Sequence, residues 1–329
     1  MARLTRLTVL APGLRRALTQ FEPGTRFPSL ERLLARADRR ARSPSASACS
    51  ALETWQLDLL HALHLPEVPS APCSALGAGL EPRPGTWLHA DFVHVAAGLD
   101  QLVLVPLYDA QTLSDDARMQ LVAALAEHVR EDGFECFVAR DQLLLHTAAE
   151  LRVDTCALGP ASRLPLLDAM PQGEDAPQLR RLMTELQMRL HDHPVNRERE
   201  RAGLLPANAV WLWGAGTQRA IPAPVTLTQV FGEHNFLRGL CRAANLSCAA
   251  LPADGAALLE QTAASSVVLL NFATLQQLDA RWLTPFERAL NTGRLRELEL
   301  TLDDIHLIAR SIHRWRLWRR IQPLSSERL

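Results

Sequence analysis

The chain contains no lysine; all 35 residues in the Lys+Arg count are arginine. That absence excludes a Schiff-base or pyridoxal lysine, a Walker A lysine and the strand lysine of protein kinases. No apolar run approaches the roughly 18 residues that a membrane-spanning helix needs. Neither sign of charge is in excess: the 35 basic residues face 36 acidic ones, for a formal net charge of −1. The molecule as a whole therefore exerts no pull toward nucleic acid or acidic lipid. No two cysteines form a CxxC pair, which excludes a zinc ribbon and a thioredoxin-type redox motif. There is no GxSxG nucleophile elbow.

What remains is a chain of 329 residues, 47% of them hydrophobic, enough for a sizeable core in one or two domains. Cys49, Cys73, Cys136, Cys156, Cys241 and Cys248 are scattered, as expected of reduced, mostly buried thiols. Residues 1–50 carry ten arginines against three acids. This start has some transit-peptide character, but Pro12-Gly13 interrupts it and no signal-peptide apolar region exists. The expected compartment is cytoplasmic.

Hydrophobic periodicity predicts a strand at 4–10, helices at 29–40 and 55–65, and a loop at 43–47. A proline-rich connection over 68–84 reads as a link between lobes. Residues 87–147 predict a compact α+β unit: strands at 87–95 and 101–107, a helix over 115–130 capped by Ser114, and a hairpin around Arg140-Asp141. Leu179, Leu182, Met183, Leu186 and Leu190 mark an amphipathic helix that stops before Pro194. The strand 209–213 leads into Gly214-Ala215-Gly216. Strands and helices then alternate, which implies a parallel sheet with helices on its faces.

Several groups have the residue types of chemistry. Gly214-Ala215-Gly216 after a strand resembles the start of a dinucleotide loop, but Arg219 replaces the third glycine and Pro222 and Pro224 prevent a helix from following directly. A structural turn at the carboxyl edge of the sheet is the simpler reading. His89, Asp91 and His94 have metal-ligand types, yet on a strand the third faces away from the first two. Asp58, His61 and His64 share a helical face, His191, Asp192 and His193 stand at a helix end, and Asp303-Asp304 with His306 could meet a divalent cation. Around 313–320 the tail is basic and aromatic. Trp315 and Trp318 are expected to pack on the body with the arginines reaching to solvent; contact with phosphates or a membrane surface is the alternative.

The segment 191–216, H-D-H-P-V-N-R-E-R-E-R-A-G-L-L-P-A-N-A-V-W-L-W-G-A-G, resembles the archaeal-type cofactor-independent phosphoglycerate mutases of the alkaline phosphatase superfamily. Segments 87–104 and 116–133, with the ending near 315–320, resemble the RpfE-type regulatory proteins. The resemblance implies an α/β fold: an alkaline-phosphatase-like parallel-sheet core, residues 1–85 and 173–329, with a small inserted α+β cap over 86–172. It also implies two divalent ions, manganese or zinc, and a phosphorylated serine at the carboxyl edge of the sheet. This chain departs from that pattern. Ala11-Pro12-Gly13 stands where an Asp-Gly ligand pair is expected, and Asn271-Phe272-Ala273-Thr274 follows the later strand in place of metal-holding acids and histidines. Ala96-Ala97-Gly98-Leu99 replaces the arginine cluster of the cap.

The expectation is thus a catalytically inactive, mutase-like regulatory or binding protein without a cofactor. Its ligand or protein partner would meet the cap–core cleft at His193, Asn196, Asn208, Trp213, Gly214 and Gly216. The alternative is a mutase or phosphatase with a relocated manganese or zinc site, such as His89, Asp91 and His94. No membrane span is expected, and nucleic acid is not a favoured partner.

Overall fold

A computed structural model describes residues 4–18, 24–40, 49–98, 101–140, 142–224, 229–262 and 265–324. The loop expected at 43–47, Leu99 and Asp141 lie outside the described residues. Twelve strands occur among them: β1 (Leu4–Leu10), β2 (Asp38–Arg40), β3 (Thr86–Ala97), β4 (Leu102–Pro106), β5 (Glu135–Ala139), β6 (Gln142–Thr147), β7 (Ala209–Gly216), β8 (Gln229–Phe231), β9 (Cys248–Ala249), β10 (Ser265–Leu269), β11 (Leu295–Leu302) and β12 (Ile305–Arg310). They form two sheets in two compact units, the first built from residues 1–44, 55–66 and 221–329, the second from 45–54 and 67–220.

The first unit is an α/β layer. Its seven strands run β2-β12-β11-β1-β10-β8-β9, with β11, β1, β10, β8 and β9 parallel and β12 and β2 antiparallel at one edge. Period-two alternation decides which side of this sheet is the core. Leu7 pairs with Leu298 and Val9 with Leu300, and all four are buried. They pack against Leu30, Leu258, Leu278, Phe286 and Leu290 from the helices on that face. Arg6, Thr8, Glu297, Glu299 and Thr301 point the other way. The helix predicted over 29–40 ends at Arg36, and Asp38–Arg40 instead extends the sheet by pairing with β12.

The second unit is an antiparallel sheet centred on β3. One edge of β3 pairs with β6 and then β4; the other pairs with β7 over Trp87–Val93. Two expectations are corrected here. The strand beginning at Ala209 does not join the parallel sheet; it runs antiparallel to β3. It also does not stop at Trp213, because Gly214, Ala215 and Gly216 continue it and Gly216 pairs with Trp87. Gly214 has φ +68°, and a side chain there would press on His89 and Ser70. Glycine is thus needed for close packing inside a strand, not for a phosphate-binding turn. The contact-defined unit is consequently broader than 86–172: residues 173–220 belong with it, since β7 is one of its strands and the helix Ala176–His191 buries Leu179, Leu182, Leu186 and Leu190 in its core.

The helix Asp115–Glu131 begins where Ser114 Oγ accepts the Ala117 amide at 3.2 Å, and Asp115 and Asp116 occupy its first turn. The stretch 68–84 is not an open linker. Ser70–Gly77 is a helix, and every residue in it is buried. Proline at position 72 sits in its first turn, where no amide donor is lost from the ladder. Cys73 and Cys156 are buried free thiols, as expected, and burial pushes the Cys73 thiol up to about 12. It is inert near neutral pH.

Candidate functional site

The H-P-V-N and P-A-N motifs form a brace within the second unit. His193 caps the helix Pro194–Arg201, its Nδ1 accepting the Val195 amide. Proline 194 therefore opens a second helix as well as closing the preceding one. Asn196 is 1% exposed. Its amide donates to Leu190 O at 2.7 Å and Ala207 O at 3.1 Å, and its Oδ1 accepts the Ala207 amide at 2.8 Å. Asn208 spans to the neighbouring strand, accepting the Val95 amide and donating to Val95 O. Both asparagines are thus occupied by backbone groups that would otherwise lie unpaired.

Trp213 lies parallel over His89 with ring centroids 4.3 Å apart, and its indole N–H donates to Asp91 Oδ2 at 2.5 Å. His89 Nε2 lies 3.1 Å from Ser70 Oγ. This serine–histidine contact has the composition of a nucleophile and its base, but Ser70 is fully buried and His89 nearly so. No substrate reaches it. His94 turns to the other side, where Nδ1 meets Pro206 O at 2.9 Å. The set His89, Asp91 and His94 does not converge on one point, because the alternation of β3 separates the third from the first two. Gly216 lies against Pro69, where a side chain would clash.

Glu53 stands close to this cluster and was not expected from the sequence. It accepts the Gly159 amide at 2.8 Å. Burial, reinforced by the charge of Asp91, pushes its carboxyl up to about 7 against the opposing pull of that hydrogen bond. The folded state then binds a proton that the unfolded chain has released, so stability falls as pH rises from the ordinary glutamate range through 7. Glu53→Gln is expected to remove that slope and to raise stability at pH 8 by about 2 kcal/mol, after allowance for the water that reaches this half-buried side chain. Urea titrations at pH 5 and pH 8 read the effect; equal slopes in both proteins would contradict it.

In the first unit, the polar face of the sheet lines a cavity of about 780 Å³. It gathers residues far apart in sequence: Arg6, Thr8, Glu299 and Thr301 from the strands, Asp58 and His61 from the helix Thr54–Leu63, and His306 from β12. Arg6 pairs with Glu299, which also accepts Thr8 Oγ1 at 3.2 Å. His306 Nδ1 lies 3.2 Å from Thr301 Oγ1, and its Nε2 lies 4.0 Å from Asp58. Cations, anions and imidazoles are thus intermixed, which suits a small polar ligand with both donors and acceptors. The helical spacing of Asp58 and His61 was visible in the sequence; their meeting with His306 was not, since it depends on β12 folding back on β11.

The carboxyl edge of the parallel strands has a different composition. After β1 come Ala11, Pro12 and Gly13, after β10 come Leu270, Asn271, Phe272 and Ala273, and after β8 come Gly232, Glu233 and His234. Asp303 accepts the amides of Gly13 at 2.6 Å and Arg15 at 2.7 Å, and Asp304 binds the Arg15 guanidinium. His234 caps the helix Asn235–Ala243 and stands edge-on to Trp55. Among the described residues, the one group of three His, Cys or carboxylate ligand atoms within 4.8 Å of one another is His128, Asp132 and Glu185, in the second unit. There Arg181 offsets the acids, 2.8 Å from Asp132.

No family model matches the chain. Part of it is similar to 2,3-bisphosphoglycerate-independent phosphoglycerate mutases. The protein of Methanothrix thermoacetophila is 45% identical over 58 residues, 18% of this chain and 15% of that protein. That of Methanopyrus kandleri is 31% identical over 156 residues, 44% of this chain and 37% of that protein. The chain thus matches well under half the length of these curated relatives. Among solved structures, the cofactor-independent phosphoglycerate mutase from Thermoplasma acidophilum aligns with a TM-score of 0.42 and 17% identity, over 100% of this chain and 95% of that one.

Proposed function

We propose that this chain is a phosphoglycerate-mutase-like protein without phosphotransfer activity, acting as a regulatory or binding component of the RpfE type in a bacterial cytoplasm. The reading takes the scaffold from the sequence similarity and the loss of chemistry from the carboxyl edge of the parallel sheet. One observation carries it. Where β1 ends, the near carboxylate is Asp303, and both of its oxygens are engaged by the backbone amides of Gly13 and Arg15.

Two divalent ions roughly 4 Å apart require several carboxylates to offset their charge and set their geometry. The residues at this edge do not fit such a pair of manganese or zinc ions. Alanine, proline, phenylalanine and leucine supply no ligand, Asp303 is held by two backbone amides, Asp304 by Arg15 and His234 by the helix it caps, which leaves Glu233 as the one further carboxylate among these residues, too few for two ions. A binding role needs a concave surface with a few placed polar groups instead, and the largely apolar cavity carrying Asp58, His61 and His306 supports one for a small ligand.

The decisive experiment combines metal analysis of the purified protein with phosphomutase and phosphatase assays in added manganese or zinc. The expected outcome is no metal-dependent turnover of phosphoglycerate or of an aryl phosphate. Turnover that tracks stoichiometric bound metal and disappears with a chelator would overturn the proposal.

A further inference from the structure

The basic, aromatic ending does not fold down as its sequence suggests. Trp315 is 63% exposed and Trp318 75%, and Ile312 and Leu317 are exposed to a similar degree. This corrects the expectation that the two indoles pack on the body. The cause is that other side chains already pin this segment. His313 is buried, and its Nδ1 accepts the Arg310 amide. Arg316 reaches Arg36 O at 2.9 Å and Asp38 at 2.5 Å, and Arg319 reaches Ala37 O at 3.0 Å. With His313, Arg316 and Arg319 turned inward, their neighbours Ile312, Trp315, Leu317 and Trp318 are held outward.

The tail that carries this apolar patch has no acid of its own, and although Glu297 and Asp38 pair with Arg310 and Arg316, Arg314, Arg319 and Arg320 remain exposed cations. Residues 305–320 contain Arg310, Arg314, Arg316, Arg319 and Arg320 and no acid, in a chain whose net charge is −1. The Arg314 guanidinium lies 4.9 Å from the centre of the Trp315 ring. Arg39 on β2, the strand paired with β12, is a further exposed cation at this edge of the sheet, whereas Arg40 lines the cavity beside His306.

We propose that this patch is a docking surface for an anionic phospholipid bilayer. Indoles settle at the headgroup boundary, aliphatic side chains enter below it, and guanidinium groups pair with phosphate in two-pronged hydrogen bonds. The aliphatic members favour lipid over nucleic acid, because Ile312 and Leu317 have no ring to stack on a base. The contact is peripheral: among the described residues no helix is long and apolar enough to cross a membrane. One such patch gives reversible attachment whose strength depends on anionic lipid and on salt.

The test is co-sedimentation of the full chain with vesicles of phosphatidylcholine alone or mixed with phosphatidylglycerol, alongside tryptophan emission. Binding is expected only with the anionic vesicles, accompanied by a blue shift and weakened by salt. W315S/W318S is expected to lower the partition by about tenfold or more with the thermal midpoint unchanged, since neither indole is part of the core. R314Q/R320Q is expected to lower it while keeping the emission shift of the residual bound fraction. The proposal is overturned if the wild-type chain ignores anionic vesicles, or if W315S/W318S binds them equally well. It is also overturned if the patch instead drives self-association, read as a concentration-dependent mass that the double variant abolishes without any vesicle binding.

Discussion

Asn196→Asp is expected to destabilise the second unit by about 4 kcal/mol at pH 7. The native amide donates to two carbonyls and accepts one amide in a site closed to water. Aspartate keeps the acceptor but turns the donor edge into an oxygen that faces Leu190 O and Ala207 O. The carboxyl is then driven to remain protonated, so the loss should shrink as pH falls toward 5. Asn196→Ala is expected to cost about 2–3 kcal/mol with no such pH dependence. Urea unfolding at the two pH values checks both. A side chain whose role is to hold a ligand would behave differently: stability would change little.

Trp211→Ala is expected to remove about 3–5 kcal/mol from the same unit. Trp211 is among the largest fully buried side chains, and its indole N–H donates to Cys156 O at 2.8 Å. Truncation leaves a cavity and an unpaired carbonyl together. Trp211→Phe retains most of the contact and loses the hydrogen bond, so about 1–2 kcal/mol is expected. Near-ultraviolet circular dichroism during thermal unfolding follows both variants, and a loss below 1 kcal/mol for Trp211→Ala would show that the site collapses around the gap.

These two residues explain why a motif can be distinctive without being chemical. In H-P-V-N, P-A-N and W-L-W the structure uses His193 as a helix cap, Asn196 and Asn208 as amide braces and Trp211 as a buried donor. A binding site draws on the same residue types, and a sequence does not separate the two uses. The proline-rich stretch 68–84 gave the opposite error. Its composition resembles a linker, yet small residues let the helix Ser70–Gly77 pack closely, as the contacts of Ser70 with His89 and of Pro69 with Gly216 show.

By itself the sequence determined the local elements. The alternation of β1 and β11, the amphipathic face of Ala176–His191 and the Ser114 cap are set by neighbours within a few residues, so their signals survive in one dimension. It also determined that lysine chemistry is absent and that the end of β1 carries no acid. Only the tertiary structure decided the partners. β7 joins β3 rather than the parallel sheet, Asp303 reaches back to Gly13, and Asp58 meets His306, each across more than a hundred positions. Only the tertiary structure decided, too, that the last indoles face solvent, because which side of the tail is pinned depends on carbonyls and an acid at Arg36, Ala37 and Asp38 that no local pattern connects to it.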